Sequence, residues 1–166
     1  MESYNVNHSK QDDVGIRLIR IFLFSAGVVL MVTAVAKLGS ALGRERILGK
    51  YDPLFAVSYR TLFILAGILE MAASLGCLFV KSVVTRLGLV AWLATMFVIY
   101  RFSLNWIGYV RPCPCLGSLT AAIHLSPQVA DTVLKGVLAY LLLGGYGGLL
   151  WLWLQIKKVS ASAPIV

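Results

Sequence analysis

The sequence predicts an all-α integral membrane protein, a bundle of four spans, and three observations carry that expectation. Hydrophobic residues make up 59% of the chain and charged residues 13%, where a soluble domain carries about 25% charge. The mean hydropathy is +0.84, and the apolar residues gather into four stretches, each near the ~20 residues that cross a hydrocarbon layer. Two helix starts are marked by a capping residue followed by proline, Asp52-Pro53 and Ser126-Pro127. At 166 residues the chain holds one domain.

Residues 1–15 are polar and expected to be mobile, ahead of a membrane domain over 16–155. The first span is expected over about 18–37, with Arg17, Arg20 and Lys37 at its edges. It is too long for a signal peptide, lacks a clear small-residue cleavage site and is followed by further spans, so it reads as retained. The basic stretch Leu38 to Lys50 is partly amphipathic and is expected to lie on the membrane surface as a short helix. The second span, about 58–80, is interrupted from Thr61 to Val80 only by Glu70, and its helix is expected to begin near Pro53, before the membrane. The third, about 84–105, carries Arg101 near its end. The fourth, about 134–154, has no charge from Gly136 to Leu154, and its helix starts near Pro127. A loose tail, 156–166, completes the chain.

The net charge of +8 does not point to nucleic acid. Lysine and arginine lie mostly at span ends, where they reach headgroups, and no basic run is interleaved with exposed aromatics. Four spans put both termini on one side and the first and third connections on the other. Seven basic residues then fall on the terminal side and eight on the other, so charge does not orient the chain. Redox chemistry does, because disulfides persist on the non-cytoplasmic face. The expectation is an inner-membrane protein with cytoplasmic termini and Cys113 and Cys115 outside.

Those two cysteines form the main candidate site. They stand in Arg111-Pro112-Cys113-Pro114-Cys115-Leu116-Gly117, between the third and fourth spans. Proline fixes its own φ and pushes the preceding residue to extended geometry, which presents the thiols on a stiff stretch. A disulfide closed over one intervening residue is a tight, easily reduced ring. Arg111 and Arg101 are candidates for stabilising a thiolate, as is the start of a short helix after Gly117. Two inert thiols, or a soft-metal site with His124 nearby, remain open. Cys77 reads as a buried packing thiol. Glu70, about ten residues into an apolar span, is either a proton-handling group or a packing anchor bonded to Tyr59, Tyr100, Lys37 or Thr33. Lys37 reads as snorkelling. Gly144-Gly145-Tyr146-Gly147-Gly148 allows close helix approach, and Trp106, Tyr109, Trp151 and Trp153 read as interfacial anchors.

Ala36-Lys37-Leu38, Leu69-Glu70 and Cys113-Pro114-Cys115-Leu116-Gly117 carry a resemblance. Over about residues 16–155 the chain resembles the MauE/DoxX-type redox-associated membrane proteins. The resemblance implies a bundle similar in architecture to vitamin K epoxide reductase, although that enzyme's Cys-x-x-Cys pair is absent here. It also implies a role in disulfide formation or maturation of exported redox proteins, methylamine dehydrogenase in the founding case. The expected partners are the lipid bilayer and an exported thioredoxin-like or client protein, with a homo-oligomer left open. A quinone would serve as electron carrier, though no motif marks one. The alternatives are a non-catalytic subunit or assembly factor of a redox complex, and a small transporter or soft-metal handler using Glu70.

Overall fold

The computed structural model describes residues 2–43, 46–108 and 127–162. Four helices run in chain order: α1 Glu2–Leu42, α2 Tyr59–Phe79, α3 Val83–Trp106 and α4 Pro127–Ser162. Each contains a segment long and apolar enough to span a bilayer: Val14–Leu42, Tyr59–Phe79, Val83–Trp106 and Asp131–Lys158. Among the described residues there is no β-strand, only an isolated bridge between Tyr51 and Ser58.

The pattern of burial is that of a protein dissolved in lipid. Leu18, Phe24, Val32, Leu65, Phe79, Phe102 and Leu143 are exposed on the outside. Lys37, Ser40, Glu70 and Ser74 are buried inside. Lipid is as apolar as leucine, so hydrophobicity does not select which helix faces pack; small residues and interhelical hydrogen bonds do. Gly67 brings α2 onto α1, where an added Cβ would stand 2.8 Å from Leu38. Lower on the same pair, Ser74 Oγ donates to the Gly27 carbonyl at 2.7 Å. Gly145 does the same for α4 against α3: a Cβ there would meet the Ala91 backbone at 3.2 Å. Tyr146 and Thr95 share a hydrogen bond of 2.9 Å one residue further along α4. The molecule is thus two close-packed hairpins, α1–α2 and α3–α4, joined by the short link after Val80.

That link is tight because both helix ends are capped. Val80 N–H bonds back to the Gly76 carbonyl at 3.1 Å, and Ser82 accepts from Thr85 N–H at 3.4 Å to start α3. Below the middle of the bundle α1 and α4 also touch. Trp151 packs on Gly15, the Phe22 ring meets Gly144, and Ser25 and Tyr140 are hydrogen-bonded at 2.6 Å. Leu23, Ala26, Leu30, Ala73, Cys77, Leu87, Val90, Leu93, Ala94 and Leu141 fill this half as one apolar core.

Two expectations need correction. The second helix does not start at Pro53. Asp52 accepts from the backbone N–H groups of Leu54 at 2.9 Å and Phe55 at 3.1 Å, as a helix cap would. Ala56 then turns to a positive φ of 54° and ends the turn, so the Asp52-Pro53 signal makes a closed loop. The helix begins at Tyr59, capped by Ser58. The stretch from Leu38 is not one surface helix: α1 continues to Leu42, and only Arg46–Gly49 forms a short 3-10 turn. The polar residues ahead of the first span continue α1 as helix from Glu2. The fourth helix starts at Pro127, as its sequence predicts.

Candidate functional site

A lysine and a glutamate of the membrane domain meet inside the bundle. Lys37 and Glu70 form a buried ion pair between α1 and α2. Side chains on a helix tilt toward its N-terminus. Lys37, near the end of α1, therefore reaches back into the bundle, and Glu70, on the antiparallel α2, leans up to meet it. Glu70 lies about 16 Å along α2 from Tyr59 at 1.5 Å per residue, close to the middle of that helix. Lys37 also stands over the Phe97 ring of α3, with Nζ 4.8 Å from the centroid. Its expected snorkelling is overturned: a carboxylate in reach within the bundle holds the ammonium more strongly than distant headgroups.

The pair sits in the wall of a cavity of about 90 Å³ to which all four helices contribute. Thr33 and Leu30 of α1, Phe63 and Ala66 of α2, Phe97, Tyr100 and Arg101 of α3, and Leu134, Leu138 and Leu141 of α4 are among its lining. Glu70 uses one carboxylate oxygen, Oε1, for Lys37. The other, Oε2, is buried and has no hydrogen-bond partner among the described residues. Thr33 is close by but gives its hydroxyl hydrogen to the Leu30 carbonyl at 3.1 Å.

Above the cavity the polar side chains continue toward the bundle end. Arg101 pairs with Asp131 of α4, which also holds Lys135 at 2.7 Å. Tyr100 donates to Asp52 of the first connection at 2.6 Å, and its ring stacks on Phe55 with centroids 5.9 Å apart. The first connection and the end of α3 therefore lie at the same end of the bundle, as four antiparallel spans require.

Cys113, Cys115, Arg111 and His124 fall in 109–126, outside the described residues. What the structure fixes is where that segment is anchored. It leaves α3 just past Arg101 and rejoins α4 just before Asp131, and these two residues are bonded across the helices. The candidate thiolate stabiliser Arg101 has a carboxylate partner in Asp131. Cys77 is a free thiol, buried in the apolar core beside Gly27 and far from that end. Glu70 meets Lys37 from the set of partners expected for it. Asp131, the bond of Asp52 to Tyr100 and the cavity itself were not legible beforehand. Nothing local in the sequence marks Asp131, four residues into a proline-started helix, as an ion-pair partner. The match in chain depth between Arg101 and Asp131, one before and one after the same connection, is the signal that would have found the pair. The chain matches no protein-family model, no curated protein and no solved structure.

Proposed function

We propose that this protein is a membrane thiol–disulfide redox protein whose working thiols are Cys113 and Cys115. The observation that carries the reading is the anchoring of their segment: it springs from the bundle end whose helices enclose a buried Lys37–Glu70 pair and a cavity. Oxidation of the pair to a disulfide releases two electrons and two protons. A bilayer protein that does this needs an electron acceptor and a group that handles protons. Glu70 is the proton-handling group, held by Lys37 at mid-membrane. The acceptor is a lipid-soluble two-electron carrier of the quinone class, which takes up two electrons and two protons to become a quinol. The partner is an exported thioredoxin-like protein or client that exchanges disulfides with the pair on the non-cytoplasmic side. The MauE/DoxX-type resemblance supports the same reading through Cys113-Pro114-Cys115-Leu116-Gly117, Lys37 and Glu70.

The test is the redox state of each thiol in native membranes, read by mass-tagged alkylation. Cys113 and Cys115 are expected to shift between dithiol and disulfide with added oxidant and reductant, while Cys77 stays reduced. Cys113→Ser and Cys115→Ser should each abolish reoxidation of a client, with Cys77→Ala near neutral. Full labelling of the pair under both treatments would overturn the reading.

A further inference from the structure

We infer that the cavity beside Glu70 is a water-filled vestibule, open to the side of the membrane that carries the α3–α4 connection and closed to the other, through which Glu70 exchanges protons. The inference goes beyond the thiol chemistry and stands on the geometry of the cavity.

The first argument is the Glu70 carboxyl itself. Glu70 is 3% exposed, and its Oε2 lacks a donor among the described residues. A buried oxygen left unpaired is strongly unfavourable, and ordered water is the usual remedy where there is room. A single water needs roughly 10–15 Å³ of such space, and the cavity offers about 90 Å³. Water there also finds the Lys37 ammonium, so it has more than one partner. Most of the wall is apolar, so water gathers along its polar side, from Glu70 and Lys37 toward Tyr100 and Arg101, and not along the leucines.

The second argument is direction. From Glu70 the charged groups lead one way only. Arg101 of α3 lies in the cavity wall, paired with Asp131 of α4, and Asp131 in turn holds Lys135, whose side chain is 68% exposed. Tyr100 and Asp52 continue the polar lining toward the first connection. Arg101 is roughly 8 Å from the end of α3 at 1.5 Å per residue, so the charged groups reach the end of the bundle. In the other direction Leu30 and Leu141 floor the cavity, and below them the apolar core closes with Cys77 inside it. The charged groups that face Glu70 are thus Lys37 on its neighbour α1 and Arg101 on α3, with Asp131 and Lys135 behind. All of them lie on the open side.

Silver ion tests this directly, since it is small, water-soluble, thiol-reactive and does not partition into lipid. The protein is the full chain carrying Cys113→Ser, Cys115→Ser and Thr33→Cys, in sealed vesicles of each orientation. Silver is added outside, the protein is then unfolded, and free thiols are tagged and located by peptide mass. Thr33→Cys is expected to be protected by silver only when the α3–α4 connection faces outward. Cys77, in the dry core, should tag fully in both orientations and so reports that the bundle is folded. If Thr33→Cys disturbs folding, Ala66→Cys on the α2 wall gives the same reading. A cavity thiol that silver reaches from neither side, from both, or only from the opposite side overturns the vestibule. The thiols of the redox reading are absent from this protein, so the result is independent of that reading.

Discussion

Lys37 and Glu70 show how a membrane interior revalues single residues. Each alone is a charge that hydrocarbon does not tolerate; together they form one ion pair with the Phe97 ring against the ammonium. Removing one partner of a buried pair is destabilising by about 3–5 kcal/mol, because the other is left uncompensated. Lys37→Met and Glu70→Leu should therefore each lower stability by that order. The double variant should recover most of the loss, because both charges and the unpartnered Oε2 go together. Unfolding in graded detergent denaturant reads the three variants against the parent. Additive losses in the double variant would show that the two side chains do not act as a pair. In the sequence both residues stood out as charges at the edge or inside of apolar runs. Their meeting did not, because Lys37 and Glu70 are 33 positions apart and the depth of each depends on where its helix begins.

At the scale of the element, glycine decides which helix faces come together. Within Gly144-Gly145-Tyr146-Gly147-Gly148 the glycines are not equivalent. Gly145 abuts the backbone of Ala91 at 3.2 Å, which cannot move without parting α3 from α4, whereas nothing lies within 4 Å of Gly147. Gly145→Ala should destabilise the bundle by about 1–3 kcal/mol, the range of overpacking. Gly147→Ala should be neutral or slightly stabilising, since alanine is the better helix residue. The same denaturant titration separates them. The run announced close approach, but the contact face could not be read from four glycines within five residues. Helix starts were legible where a cap stood next to proline and the chain stayed helical, as at Pro127. At Pro53 the same signal misled, because the positive φ of Ala56 turns the chain out of helix before a second turn can form.

For the whole molecule the arrangement is two hairpins that pack tightly at one half and stand apart around a cavity at the other. It predicts that positions in the first and third connections share a side. Reporter fusions after Lys50 and after His124 should return the same topology signal, and a fusion after Lys158 the opposite one. Unlike signals at the first two positions would break the four-span arrangement. The hydrogen bond from Tyr100 to Asp52 ties the first connection to the top of α3 and is the structural basis for the expectation.

Composition and the four apolar runs determined the class and the number of spans, because a backbone in lipid must satisfy its hydrogen bonds internally and so forms helices of bilayer length. The sequence also isolated Cys113 and Cys115, since two prolines and a one-residue spacing are local facts. The tertiary structure decided what the charges inside the membrane do. Lys37 turned inward to Glu70, Arg101 crossed to Asp131, and a cavity opened between the hairpins with one carboxylate oxygen unpartnered among the described residues. The physical reason is that apolar residues are spread around most of each helix within the spans. Their rotation and depth are fixed by small residues and polar side chains meeting across the bundle, and those meetings exist only once the four helices are in place.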